Sequence, residues 1–191
     1  MKRILLVPVL VVALLACDVA QWVQTAEQIL PVVLPMVTNL ITAVSLLEGK
    51  TVSAADLNTI TRTATEVSND LNLAGQLVNQ YQSSPNATTV QKINAALSDV
   101  TTNLNALLPA LQISDPATVQ KITAVVTLIS SEVSSIQQIL PVVQSGKLTA
   151  KRVTASGLLN AGELKKQYNT IVTAPTANPA VTQAFAGAAL K

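Results

Sequence analysis

The chain has 191 residues, with 12 basic and 10 acidic side chains, one cysteine and no histidine. This length suits a single domain. One cysteine excludes an internal disulfide, and the lack of histidine removes the commonest general base and metal ligand. Hydrophobic residues make up 49% of the chain but aromatic residues only 2%, so the predicted core is aliphatic. Long periodic aliphatic runs favour an all-α fold.

The first 17 residues combine three features in a fixed order. Two basic residues, Lys2 and Arg3, precede an apolar run that ends in Leu14-Leu15-Ala16-Cys17. The run has the length of a signal peptide and is short for a transmembrane span. The stretch resembles the signal peptide and lipobox of bacterial lipoproteins. The resemblance implies that residues 1–16 are removed, that Cys17 is acylated, and that the protein is held on the exported side of a membrane in the cell envelope.

The alternative is a buried N-terminal helix in which Cys17 is an ordinary core residue. Burial alone does not require charge, apolar run and small residue in this order, so the signal peptide is favoured. Its removal would take away two positive charges and leave ten basic and ten acidic residues. A neutral mature chain gives no indication of nucleic-acid binding.

The first predicted helix is the most apolar part of the mature chain. Its apolar residues recur at alternating steps of three and four, which is typical of a helix packed against other helices. A second apolar row lies beside the first, and residues 28–47 carry no charge, so this helix is predicted to be the centre of a bundle. Pro31 and Pro35 predict a kink or a break near residues 27–35. The first row comprises Val19, Trp22, Ala26, Ile29, Val33, Met36, Leu40, Ala43 and Leu47.

Three further segments repeat the same spacing. Gly49 is expected to end the first helix, a capping box from Ser53 to Asp56 opens the second, and Asp115 followed by Pro116 opens the fourth. Short connections force neighbouring helices to run antiparallel. The predicted fold is therefore all-α, an up-and-down antiparallel bundle of four long helices plus a shorter fifth helix. The inner rows are Leu57, Ile60, Ala64, Val67, Leu71, Ala74, Val78 and Tyr81; Val90, Ile93, Leu97, Val100, Leu104, Leu107 and Leu111; and Val119, Ile122, Val126, Ile129, Val133, Ile136, Leu140 and Val143.

The pattern weakens beyond Gly146, where the fourth helix is expected to end. Residues 17–172 are assigned to the bundle domain, and residues 173–191 to a linker followed by a short helix or a frayed tail. The sequence Thr-Val-Gln-Lys-Ile occurs at both 89–93 and 118–122. Duplication and convergent use of a good helix start remain equally open. The fifth helix is predicted from Leu158, Ala161, Leu164, Tyr168 and Ile171.

Residue patterns for catalysis are scarce. The sequence has no glycine-rich phosphate loop, serine-nucleophile elbow or paired-cysteine metal site. Glu66 and Asp70 are four residues apart on one helix face, and without a histidine they are interpreted as a solvated face. Tyr81 and Tyr168 lie on inner rows and are predicted to be core residues with satisfied hydroxyl groups. The sequence predicts no enzyme, cofactor or metal.

Charge is unevenly distributed along the mature chain. Residues 18–146 hold nine acidic and four basic side chains, whereas residues 147–191 hold six basic and one acidic. In the favoured interpretation, a basic fifth helix docks on an acidic bundle or is simply solvated. In the other, the basic residues face anionic lipid headgroups beside the anchor. The candidate residues for a membrane-surface or partner contact are Lys147, Lys151, Arg152, Lys165 and Lys166.

The leading hypothesis is a non-enzymatic, lipid-anchored envelope protein with a structural, scaffolding or binding role. Its partners would be membrane lipid, through acylated Cys17, and an envelope protein. An alternative is a carrier that holds an apolar ligand between its helices. A second alternative is a small integral membrane pore-former that uses residues 28–47 as a span. The two prolines of this stretch and the lack of an aromatic belt disfavour the pore-former.

Overall fold

The fold is seen in a computed structural model, which describes residues 6–144, 147–149 and 160–191, with side chains from Gln21 onward. These residues form six α-helices and one antiparallel pair of short strands, and the helices pack against each other. The predicted all-α fold is confirmed. The elements are α1 (Leu6–Ser45), α2 (Ala54–Ser83), α3 (Ala87–Ala110), α4 (Pro116–Ile139), β1 (Val142–Gln144), β2 (Lys147–Thr149), α5 (Ala161–Thr173) and α6 (Pro179–Ala186).

Capping hydrogen bonds mark the helix starts, and those at Ser53 and Asp115 confirm the predicted starts of α2 and α4. The hydroxyl of Ser53 accepts the backbone N–H of Asp56 at 3.0 Å and donates to its carboxylate at 2.7 Å. Asn86 and Asp115 each accept the N–H three residues further on at 2.8 Å. These bonds satisfy donors that the first turn of a helix leaves without partners. After α1, Gly49 adopts a φ of 71°, a left-handed conformation that glycine accommodates without strain.

Hydrogen bonds at the two ends of the bundle show that its helices run up and down. At one end Gln82, close to the end of α2, donates to Glu27 on α1 at 2.7 Å. At the other end the hydroxyl of Thr118, in the first turn of α4, donates to the hydroxyl of Thr51 at 2.9 Å. Helix starts and helix ends therefore meet at both ends, as an antiparallel bundle requires.

The two ends are named here by their connections. The near end holds the α2–α3 connection, residues 84–86, and the β1–β2 hairpin. The far end holds the α1–α2 connection, residues 46–53, and the α3–α4 connection, residues 111–115. The α3 and α4 helices have 24 residues each, which separates the two ends by about 36 Å at ~1.5 Å per residue.

The predicted rows of aliphatic residues form the core. Alternating steps of three and four keep each row on one side of its helix, where it packs against the facing rows. Nine residues of these rows, taken from all four long helices, are each at most 2% exposed. These nine residues are Ile29, Val33, Leu40, Ile60, Val67, Leu97, Val100, Ile129 and Ile136.

The expected break in the first helix does not occur. The α1 helix is continuous through Pro31 and Pro35. Each proline removes one backbone hydrogen bond and crowds the preceding turn, which weakens a helix locally. Burial of the neighbouring Ile29, Val33 and Met36 in the core offsets this loss, because helical stability in proteins comes mainly from tertiary packing.

Two expectations for the fourth helix are wrong. The helix ends at Ile139, ahead of Gly146, and Val143 lies in β1. The cause is Pro141, which disfavours a helical conformation at the residue before it and cannot donate a backbone hydrogen bond. Val119, assigned to the inner row, is 40% exposed. The first turn instead buries Thr118, whose hydroxyl forms hydrogen bonds with Thr51 and Asp115.

The C-terminal residues complete the core. The predicted fifth helix is present as α5, which Asn160 caps, while Leu158 lies outside the described residues. Beyond the linker, the short helix α6 forms rather than a frayed tail, since Val181 and Phe185 are fully buried. Both helices pack against α1 and α4.

Truncation of core leucines tests this burial pattern. Leu97 is fully buried in α3, so Leu97→Ala is expected to lower the free energy of unfolding by about 2–5 kcal/mol through lost burial and a residual cavity. The matched control is Leu73→Ala in α2, where the side chain is 46% exposed and the expected loss is about 0.5 kcal/mol or less. Urea denaturation measures both, and equal losses would contradict the assigned faces.

Candidate functional site

The lipobox-like sequence leads directly into the bundle. Cys17 lies within α1, although its side chain is outside those described. Trp22, five residues later, is buried and packs against Tyr81 of α2 with ring centroids 5.0 Å apart. At ~1.5 Å per residue, about 7.5 Å of helix separates Cys17 from the first aromatic residue of the core. The structure therefore places no flexible linker between the candidate lipid attachment site and the bundle.

One helix among the described residues is long and apolar enough to cross a membrane. It is Gln21–Ser45, within α1, with a mean hydropathy of 1.6. Helices at the core of soluble proteins, and signal sequences, have the same properties. Here every exposed residue of the segment except Pro31 is polar. These polar residues are Gln21, Gln24, Glu27, Gln28, Thr38, Thr42 and Ser45.

The candidate basic residues do not form one cluster. Lys147 is exposed on β2 at the near end, whereas Lys165 and Lys166 lie on α5. Lys151 and Arg152 lie outside the described residues.

The position of α5 along the bundle follows from two hydrogen bonds. The hydroxyl of Tyr168 and the side-chain amide of Asn39 both donate to the backbone carbonyl of Ala188, at 3.1 Å and 2.9 Å. The middle of α5 therefore lies level with Asn39. Asn39 is 22 residues beyond Cys17 on the same helix, or about 33 Å at ~1.5 Å per residue.

Both lysines of α5 have partners within the chain. The amine of Lys165 donates to the backbone carbonyl of Lys191. Lys166 pairs with Glu163 at 4.0 Å, and the two side chains are 75% and 51% exposed, so this ion pair contributes little stability. These contacts favour the interpretation that α5 is docked and solvated. The open groove beside them, of about 430 Å³, is lined by Gly162, Lys165, Lys166, Asn169, Thr170 and Thr173.

An acidic group spans α2 and α3. Burial raises the pKa of Asp70, and the negative charges of Asp99 and Glu66 raise it further. Glu66 and Asp70 are four residues apart on one helix, whereas Asp99 lies on the neighbouring helix and is not indicated by their spacing. The antiparallel pairing of α2 and α3 is the signal that could have placed Asp99 near Asp70. Among the described residues no group of three or more carboxylates or cysteines is arranged to hold a metal ion.

One lysine is buried, which the sequence pattern did not predict. Lys121 of α4 is only 4% exposed, and its amine donates to the backbone carbonyls of Ile171, Val172 and Ala174. Two of these bonds measure 3.2 Å and 2.6 Å. Burial lowers the pKa of Lys121, while three carbonyl acceptors match the three N–H donors of the protonated amine. Lys121 thus caps the C-terminal end of α5, where the helix dipole favours a cation.

The repeated pentapeptide shows why sequence could not reveal this contact. Lys92 occupies the same place in the first copy as Lys121 in the second, yet Lys92 is exposed. In both copies the threonine N–H donates to the capping residue, at 2.8 Å, so the helix starts are alike. The difference comes from α5, whose carbonyls lie 50 residues or more away in sequence.

The two buried tyrosines differ in their hydrogen bonding. Tyr168 is satisfied by the carbonyl of Ala188, as expected, and burial raises its pKa. For Tyr81 the expectation is wrong, because its buried hydroxyl has no partner among the described residues. The indole N–H of the adjacent Trp22 also lacks a partner among them. Burial raises the pKa of Tyr81, which disfavours ionisation of this hydroxyl.

Comparisons with known proteins give no family. No family model, curated protein or solved structure matches this chain. The functional interpretation therefore depends on the residues and contacts described above.

Substitution of the two repeated lysines tests the buried cap. Lys121→Met keeps the aliphatic stem but leaves buried carbonyls at the end of α5 without a donor, and should lower the free energy of unfolding by about 1–3 kcal/mol. Lys92→Met, at the equivalent exposed position, should change it by about 0.5 kcal/mol or less. Thermal denaturation of both variants provides the measurement. If Lys121→Met leaves the free energy of unfolding unchanged, the three hydrogen bonds contribute no net stability.

Proposed function

We propose that this protein is a lipid-anchored helical protein of the bacterial cell envelope with a structural, scaffolding or binding role and no catalytic activity. The observation that carries the proposal is the lipobox-like Leu14-Leu15-Ala16-Cys17, which lies within α1 directly before the part of that helix that is buried in the bundle. Acyl chains on Cys17 would hold the domain at the membrane, because several chains bury enough methylene groups for stable anchoring.

The lengths of the helices support removal of the N-terminal segment. The α1 helix has 40 residues, whereas α2 has 30 and ends at Ser83, two residues after the Tyr81 that contacts Trp22. The α1 backbone from Leu6 to Gln21 extends past the end of α2, so no part of α2 lies beside it. Cleavage before Cys17 therefore leaves the described core, which starts at Trp22, intact.

The candidate surface for a binding role is a groove at the far end. Leu46 is exposed there, and with Lys50, Ala180, Gln183 and Ala184 it lines an open groove of about 230 Å³. Single exposed apolar residues are common on protein surfaces, so this groove marks where a binding role can be tested. An apolar ligand carrier is less well supported, since the inner rows are buried in one core and the two grooves described above are open to solvent.

The pore-former is disfavoured by the surroundings of α1. In a bilayer the exposed Glu27, Gln28 and Thr38 would face lipid, and the carbonyls freed by the prolines would need partners. In the bundle the same polar residues face solvent. The hydroxyl groups of Thr38 and Thr42 donate to the carbonyls one turn earlier, at 3.3 Å and 3.2 Å.

Metabolic labelling tests the anchor. Cells given a fatty-acid analogue should label the wild-type protein, whereas Cys17→Ala should remain unlabelled and either unprocessed or released from membranes. Asp18→Asn, which leaves the four lipobox residues unchanged, is the matched control and should still be labelled. Absence of label on the wild type would refute acylation.

Deletion of the signal peptide separates the lipoprotein from the pore-former. The chain from Asp18 to Lys191 retains the core that begins at Trp22, and should be a water-soluble, strongly helical protein without detergent. Circular dichroism and cell fractionation measure the outcome. Recovery only from membranes, in a form resistant to alkaline carbonate, would support a span formed by residues 28–47.

A further inference from the structure

The backbone between the proposed anchor and the bundle is helical. The α1 backbone is continuous from Leu6 through Cys17 to Ser45. On this helix Trp22, Val23 and Ala26 are buried against the rest of the bundle. The direction in which the chain leaves Cys17 is therefore the direction of the bundle axis. A protein anchored at Cys17 has little freedom to turn its side toward the membrane.

The near end has a surface suited to lipid headgroups. Its α2–α3 connection, Ser84-Pro85-Asn86, is uncharged. In the hairpin Val143 pairs with Leu148, and both pack on the core. The neighbouring strand positions Val142 and Lys147 are exposed. An exposed apolar residue beside a cation matches the boundary between acyl chains and anionic headgroups.

The charges of the two ends differ. Among the described residues, Lys147 is the one charged residue in the near-end connections. Glu27 on α1 and Lys92 on α3 lie close to this end of the bundle. The far-end connections carry Glu48 and Asp115 beside Lys50. The near end therefore complements an anionic surface better than the far end does.

From this geometry we infer that the near end of the bundle contacts the lipid surface, with the bundle axis upright and the far end directed away from the membrane. The inference rests on the proposed lipid anchor at Cys17. It assigns the contact to Lys147 and Val142, together with residues 84–86. It also excludes Lys165 and Lys166, because the level of Asn39 is about 33 Å from Cys17, several times the Debye length of about 8 Å at physiological salt.

Energy transfer to labelled lipid tests the orientation. Ser84 at the near end and Ser114 at the far end are both exposed, so Ser84→Cys and Ser114→Cys form a matched pair of donor sites. The acylated mature protein has its Cys17 sulfur blocked as a thioether, so only the introduced thiol reacts. The protein is placed in vesicles of phosphatidylethanolamine and phosphatidylglycerol that carry a lipid-linked acceptor. The acceptor is chosen so that its Förster distance is comparable with the bundle length.

Transfer is expected to be several-fold higher from the Ser84→Cys label than from the Ser114→Cys label. Equal transfer from both sites, or higher transfer from the Ser114→Cys label, would overturn the upright orientation. Failure of the proposed anchor gives a different result, since the protein would not float with vesicles and the wild-type Cys17 would itself take the label.

A charge reversal tests the assigned contact. In the Ser84→Cys protein, Lys147→Glu is expected to increase quenching of the label by an aqueous quencher several-fold on anionic vesicles, because repulsion lifts the near end. Lys166→Glu on α5 is the matched control and should leave quenching unchanged. A larger effect of Lys166→Glu than of Lys147→Glu would show that the side of the bundle, and not its near end, contacts the lipid.

Discussion

Burial of α1 on several sides is the constraint on which the structure depends. The α2 and α4 helices pack on it from within the bundle, and α5 and α6 pack on it from the C-terminal segment. Because so much of its surface is covered, α1 tolerates two prolines without a break. The same packing explains a helix with membrane-like hydropathy whose remaining exposed positions are polar. Burial of apolar area, at about 25 cal/mol per Å², thus organises an aliphatic chain with very few aromatic residues.

Local sequence was sufficient for most of the fold. The caps at Ser53, Asn86 and Asp115 follow from short-range chemistry, in which a side-chain oxygen accepts an N–H three residues on. The inner rows follow from helical periodicity. What local sequence could not reveal depends on distant partners. Lys92 and Lys121 stand in identical pentapeptides, and only the arrival of α5 makes one of them a buried cap.

The same distinction between adjacent and distant residues applies to the candidate surfaces. The lipobox-like stretch is recognised from adjacent residues alone, and its acylation remains a prediction. The basic C-terminal segment was read as one cluster because its lysines are close in sequence. The hairpin and α5 place Lys147 at the near end and Lys165 far along the bundle, so proximity in sequence did not mean proximity in space. Asp99 is the opposite case. It is distant from Asp70 in sequence and lies on a different helix, yet its charge raises the pKa of Asp70.

The position of the lysine cap has a consequence for the order of folding. During synthesis the chain emerges from the ribosome with its N-terminal residues first. Lys121 is therefore made some 50 residues before the carbonyls that it binds. Until these arrive its amine stays hydrated, and the faces of α1 and α4 that receive Phe185 and Val181 stay open to water. The last segment to be synthesised is therefore the one that closes the core, so the protein completes its fold only after residues 160–191 have been made.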